Sequence, residues 1–224
     1  MVKLKGLGSS KVHFKQTAII KDSKKWIEDL KFSPNGKLLA VGSHDTKIYF
    51  YKVKKKKGSI RKYWIMTYHN AAITHLDWSK DSTYTHSNCN GYEILYSNVQ
   101  ARSHDTKGRT SCRDTDWATW TCTIGWDVKG IFRSEMDGSD INSVFRSNKV
   151  YGKASEQAKI LATADDESEI KVYRYPCITK NSGYVGGRGH AEHVTNVKFS
   201  AGDAYLYSTG GEDQCIMQWR ITRK

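Results

Sequence analysis

Three positions, i, i+3 and i+5, recur four times along the chain ahead of a polar turn and a second short run of strand-forming residues. They are Ile27, Leu30 and Phe32; Ile73, Leu76 and Trp78; Ile141, Val144 and Arg146; and Val194, Val197 and Phe199. The last unit is the clearest. Gly189-His190 opens it, Ala201-Gly202-Asp203 makes a polar turn, Ser208 to Gly211 end a second strand, and Asp213 leads into a third, Ile216 to Trp219. Short strands that alternate inward and outward residues, with Gly or Asp at each reversal, are the layout of a WD-type repeat, one blade of a β-propeller. In such a blade a His, a hydroxyl on the second strand, an Asp and a Trp hydrogen-bond across the unit. Here those are expected to be His190, Thr209, Asp213 and Trp219, holding the blade together without doing chemistry.

The other units follow the same plan. In residues 26–53, Ser33-Pro34-Asn35-Gly36 is a β-turn in which Pro presets φ and Gly accepts a positive one. Leu38 to Val41 and Ile48 to Val53 read as the next two strands, and Ile60 to Met66 as a fourth. The second unit begins near His69 and has its third strand at Tyr92 to Tyr96. In the third, Asp166 aligns with Asp213 and Tyr173 with Trp219, and an enlarged polar loop, Ser147 to Lys159, separates the first two strands. The anchors at 27, 73, 141 and 194 lie 46, 68 and 53 residues apart, against roughly 40–45 for a WD-type repeat. The excess in the second interval falls on SCRDTDWATWTCTIGWDVKGIF (111–132), which intersperses aromatic with polar residues. This stretch is expected to supply the outer strand of the second blade and the approach to the third.

The expected organisation is all-β. A basic lead-in covers 1–15, and a WD-type β-propeller segment of about four blades covers 16–224, the blades starting near 26, 69, 138 and 189. Propellers usually hold more blades, and an open array leaves strand edges unpaired. The segment is therefore expected to be part of a larger propeller. On that reading QTAII (16–20) is the outer strand of a preceding blade; the alternative is that it completes the last blade and closes a ring.

Composition narrows the function classes. With 38% hydrophobic and 26% charged residues the chain suits a soluble globular protein. No run approaches the ~18 apolar residues of a membrane span, and the basic N-terminus lacks the apolar core of a secretory signal. The five cysteines, at 89, 112, 122, 177 and 215, form no Cys-x-x-Cys pair, which points to reduced thiols in an intracellular compartment. The net charge of +13 is local: residues 1–62 hold 17 Lys/Arg against 4 Asp/Glu, and the rest of the chain balances 19 with 19. An excess so confined implies an acidic partner or a solubilising face.

Four stretches carry a more specific signal: VGSHDTKIYFY (41–51), ITHLDWSKDSTYTHSNCNGYEILY (73–96), CRDTDWATWTCTIGW (112–126) and HVTNVKFSAGDAYLYSTGGEDQCIMQW (193–219). Together they resemble the echinoderm microtubule-associated protein-like family, in that family's order and over about nine-tenths of the chain. The resemblance implies two joined propellers in the full-length proteins, microtubule binding, and a place on spindles or ciliary axonemes. It places this chain in the C-terminal part of the second propeller. The family's coiled coil and first propeller are not in the sequence, and Ser97-Asn98 stands where a Trp-Asp is expected.

Enzymatic signals are weak. His190-Ala-Glu-His193 leads into a strand, whereas a zinc-binding pair of this kind needs one helix face. Asp165, Asp166 and Glu167 occupy a blade turn, Cys112 and Cys122 lack a base partner, and Gly186 to Gly189 lacks the Lys-Ser/Thr of a phosphate loop. No catalysis, metal, cofactor or small-molecule substrate is expected. The candidate partner-binding residues are Lys52, Lys54, Lys55, Lys56, Lys57, Arg61 and Lys62, a dense cationic group suited to the acidic tails of tubulin. The expected function is a non-enzymatic, microtubule-associated scaffold in the cytoplasm and cytoskeleton, with tubulin and other cytoskeletal or axonemal proteins as partners. The alternative is a scaffold in a cytoskeletal or ciliary complex without direct tubulin contact; binding of nucleic-acid phosphates through the basic quarter ranks below both.

Overall fold

Each of the four triads lies on the first strand of its own antiparallel sheet. A computed structural model describes residues 16–54, 59–137, 140–153, 155 and 157–222. The first sheet is a meander of β1 (Ile27–Phe32), β2 (Leu38–Ser43), β3 (Ile48–Lys54) and β4 (Ser59–Met66). The second comprises β5 (Ile73–Trp78), β6 (Tyr84–Cys89), β7 (Ile94–Asn98) and β8 (Ser103–Asp105). The third comprises β9 (Ile141–Arg146), β10 (Lys159–Asp165), β11 (Glu169–Tyr175) and β12 (Tyr184–Arg188). Among the described residues the fourth has three strands, β13 (Val194–Phe199), β14 (Tyr205–Gly210) and β15 (Ile216–Arg220). The architecture is a partial β-propeller.

The turns repeat because the same chemistry recurs. A serine just after the first strand closes each first turn: the amides of Leu38, Tyr84, Ile160 and Tyr205 donate to Ser33, Ser79, Ser147 and Ser200 at 2.9, 2.8, 3.0 and 3.2 Å. Ser147 does so across the enlarged loop, which Tyr151 and Ala158 also bridge. Each second turn has one residue at positive φ, namely Thr46, Tyr92, Ser168 and Gln214, always two positions before an isoleucine of the third strand. This register places Glu167, and not Asp166, opposite Asp213. It also moves the third strand of the second unit to Ile94–Asn98.

Neighbouring sheets pack in one sense. Ile73, Leu76 and Trp78 are buried against Leu38, Ala40, Ile48 and Phe50 of the first sheet. Val194, Val197 and Phe199 pack in the same way on Ala162, Ala164 and Ile170 of the third. Between the second and third sheets the core runs instead through Trp117, Trp120, Val128 and Ile131, lying between Tyr96 and Val144, Leu161 and Tyr173. The 111–132 stretch is thus a filler and not an outer strand. The outer strand is β8, followed by a short helix α1 (Gly108–Ser111) and, further on, a 3-10 helix over Trp126–Ile131.

Residues 16–20 form no strand. The chain that follows is tied to the first sheet by side chains: Tyr51 Oη donates to Asp22 at 3.1 Å, and the Ser23 and Ser43 hydroxyls lie 2.7 Å apart. The anchors of β1 lack the cover that their counterparts have. Ile27, Leu30 and Phe32 are 54, 52 and 55% exposed.

Candidate partner-binding surface

The last sheet shows how a blade is locked. His190 Nδ1 lies 2.6 Å from Asp213 Oδ2, and Nε2 lies 2.8 Å from Ser208 Oγ, to which Trp219 Nε1–H donates at 2.9 Å. The hydroxyl in this relay belongs to Ser208 and not to Thr209. Thr209 sits one residue further along β14, hence on the opposite face, where its hydroxyl meets Thr195 Oγ1 at 3.0 Å. His193 takes no part; its Nδ1 lies 2.7 Å from Asp166 Oδ1, an interaction that raises its pKa.

In the second sheet the relay is altered at both ends. His69 Nε2 still meets Ser87 Oγ at 2.7 Å. Gly91, however, holds the place of Asp213, and Ser97, which pairs with Thr85 as Trp219 pairs with Leu206, holds that of the Trp. In the third sheet the Lys171 ammonium is buried between Asp165, Glu167 and Glu169.

A second polar centre joins the first two sheets to the filler. Asp77 is completely buried. It accepts from Thr119, from the Thr121 amide at 2.7 Å and from the Cys122 amide at 3.1 Å, and it lies 3.1 Å from Lys31 Nζ and 3.2 Å from His86 Nε2. Burial alone would push its carboxyl up, but Lys31, His86 and Thr119 outweigh burial and hold it well below the usual carboxylate range. Burial drives the Cys122 thiol far up, which leaves it unreactive.

The basic group lies on the hairpin between β3 and β4. Lys52 pairs with Arg61 across the strands and Lys54 with Ser59, and Lys52, Lys54, Arg61 and Lys62 are all exposed. Lys55, Lys56 and Lys57 lie outside the described residues. The four described cations are not equivalent. Lys62 is engaged at 2.6 Å by Asp22, while Lys52 Nζ lies 4.6 Å from the centre of the Tyr63 ring. Arg102, from the β7–β8 turn of the second sheet, lies over the same ring at 4.4 Å. The basic surface therefore crosses from one sheet to the next through Tyr63, whose hydroxyl donates to the Gln100 carbonyl. Nothing in the sequence marks Arg102 as part of it, because the contact depends on how two outer strands are juxtaposed.

A cleft of about 520 Å³ opens between the second sheet and the filler. Arg109, Arg113 and Lys129 line it beside Tyr96, Trp117 and Trp126. Lys129 Nζ sits 3.9 Å from the Trp126 ring centre, and Trp126 is largely exposed. Cations around aromatic walls can take an acidic or aromatic segment of a partner chain. Among the described residues no helix is long and apolar enough to cross a membrane.

Comparison with known proteins gives one consistent answer. The family model described as the echinoderm microtubule-associated protein second beta-propeller matches residues 8–221. The chain is 39% identical over 203 residues to echinoderm microtubule-associated protein-like 4 of Xenopus tropicalis, covering 91% of this chain and 21% of that protein. It is 38% identical over 200 residues to the human echinoderm microtubule-associated protein-like 3, covering 89% of this chain and 21% of that protein. For the rat echinoderm microtubule-associated protein-like 1 the identity is 39% over 200 residues, or 89% of this chain and 24% of that protein. The chain thus spans about a fifth of the length of the curated relatives it matches. The chain belongs to the echinoderm microtubule-associated protein family and corresponds to part of the second β-propeller.

Proposed function

We propose that this chain is a non-enzymatic scaffold segment that associates with microtubules, its basic hairpin docking on the acidic tails of tubulin. The observation that carries this reading is the exposed cationic group of Lys52, Lys54, Arg61 and Arg102, in the quarter of the chain and the adjoining turn where the charge excess meets the surface. The names of the relatives supply the microtubule. A single exposed ion pair contributes only about 0–1 kcal/mol, so affinity must come from several cations acting together and must weaken with salt. Its place is then the cytoplasmic microtubule cytoskeleton, with the ciliary axoneme as one such array.

The test is co-sedimentation with microtubules, with and without the tubulin tails, over a salt series. Tail-dependent pelleting that fades with salt is expected, together with a loss of about tenfold in affinity on charge reversal at Lys52, Lys54 and Arg61. Unchanged affinity in that variant would overturn the basic-hairpin mechanism.

The cleft supports a second reading, a scaffold that grips another cytoskeletal or ciliary protein. There Arg109, Arg113 and Lys129 ring an exposed Trp126, a better shape for one bound segment than a hairpin is. Retention of such a partner from extract freed of tubulin, lost on Trp126→Ala, distinguishes this reading from the first.

A further inference from the structure

The altered relay in the second sheet leaves a group of ligand atoms facing one another. Among the described residues the buried His69 Nδ1 has no hydrogen-bond partner. Glu93 Oε2 lies 3.8 Å from it and 3.7 Å from Cys89 Sγ, and the three atoms fall within 4.8 Å of one another. Cys89 is buried, and Glu93 reaches the surface.

The two substitutions also change which imidazole nitrogen is bare. In the last sheet Trp219 donates to Ser208, so the serine's own proton goes to His190 Nε2, and Nδ1–H is left to meet Asp213. In the second sheet, among the described residues, no Trp supplies Ser87, and the carboxylate nearest Nδ1 is that of Glu93, at 3.8 Å and not at hydrogen-bond distance. Ser87 Oγ can then accept from Nε2–H, which turns the Nδ1 lone pair toward the thiol and the carboxylate. That is the tautomer a metal ligand needs, held by the outer hydrogen bond that commonly orients ligating histidines. A similar outer bond holds Glu93, whose Oε1 accepts from Asn70 Nδ2 at 3.0 Å.

We propose that His69 Nδ1, Cys89 Sγ and the Glu93 carboxylate form a binding site for a thiophilic divalent cation of the zinc class, with the fourth position open to solvent beside Glu93. One nitrogen, one sulfur and one carboxylate oxygen are the donors that such an ion takes in tetrahedral geometry. Ligands around it stand about 3.3–3.6 Å apart, close to the 3.8 and 3.7 Å that separate Glu93 Oε2 from His69 Nδ1 and Cys89 Sγ. Binding displaces the Cys89 proton to solvent and leaves the thiolate on the metal. A neighbouring trio, Asp77, His86 and Cys122, meets the same distance test but is already committed. Its His86 Nε2 and both Asp77 oxygens have hydrogen-bond partners from the protein, although His86 Nδ1 has none among the described residues.

The probe is Co²⁺, titrated into the reduced, metal-free chain. One Co²⁺ per chain is expected, with a thiolate-to-cobalt charge-transfer band in the near ultraviolet and the visible bands of a tetrahedral centre. Cys89→Ser should abolish the charge-transfer band, and Glu93→Gln, a change at the surface that leaves the fold intact by circular dichroism, should weaken affinity at least tenfold. Cys215→Ser, at an exposed thiol in another sheet, should change neither. Sub-stoichiometric binding, a charge-transfer band that survives Cys89→Ser, or unchanged affinity in Glu93→Gln would each overturn the site.

Discussion

Asp77 illustrates how much one side chain can organise. Its carboxylate gathers a lysine from the first sheet, a histidine from its own, and two threonines and two amides from the filler. Every partner except His86 is a donor in any protonation state, so an amide in that place would point its own N–H groups at other donors. Asp77→Asn should therefore destabilise the fold by roughly 3–5 kcal/mol, the cost of breaking a buried pair, measurable by urea unfolding. The pH dependence has a definite sign. A carboxyl whose folded pKa lies below its unfolded value contributes stability that is complete above the unfolded value and lost as pH falls through the folded one. Asp77, Asp81 and Glu167 are all lowered, so stability should hold down to about pH 5 and fall below it, with a shallower fall in the variant. Residue types at this scale were legible, but positions were legible only to within one residue. Ser208 and Thr209 both carry hydroxyls, and the alternation of faces along β14 turns one to His190 and the other to Thr195. Glu167 and Asp166 differ in the same way, through the positive φ of Ser168. The spacing of 69, 89 and 93 resembles no metal signature; those residues meet only because β5–β7 fold as they do.

At the scale of elements, the strands that could be read from the chain are those with an apolar triad and a Ser-containing turn. The 111–132 stretch misled because its scattered aromatics imitate a half-buried strand. Its backbone meets strand backbone only locally, at Trp78 to Lys80 and at Arg146, and otherwise bonds the side chains of Asp77 and Asn88, while its two buried tryptophans point into the gap between sheets. Trp120 is almost fully buried and donates to the Cys122 carbonyl at 3.0 Å. Trp120→Ala should cost roughly 3–5 kcal/mol. Because the filler fills the core between the middle sheets, hydrogen exchange in that variant should quicken first in β7 and β9, and least in β2 and β3. Uniform acceleration across all four sheets would contradict that assignment. The basic hairpin was legible as a charge run, whereas the capture of Lys62 by Asp22 and the arrival of Arg102 were not, since both depend on segments far apart in sequence.

For the molecule as a whole, the consequence lies in the two terminal sheets. The two direct sheet-to-sheet contacts among the described residues, first with second and third with fourth, place first-strand anchors on the face of the sheet before, so the exposed triad of β1 has the form of half such a contact. The outward face of the last sheet is the other half: Tyr207 and Ile216 stand where Ala40 and Ile48 receive Ile73 and Leu76 in the first, and Ile216 is 77% exposed. A plug and a socket on one molecule give head-to-tail association, which has no stopping point unless the accumulated rotation closes a ring. Purified by itself, the chain should show a sedimentation coefficient that climbs with concentration, and Leu30→Lys with Phe32→Asp should return it to that of a monomer. Such growth is polymerisation in the chemist's sense. It would mimic tight microtubule pelleting unless the chain is first centrifuged alone.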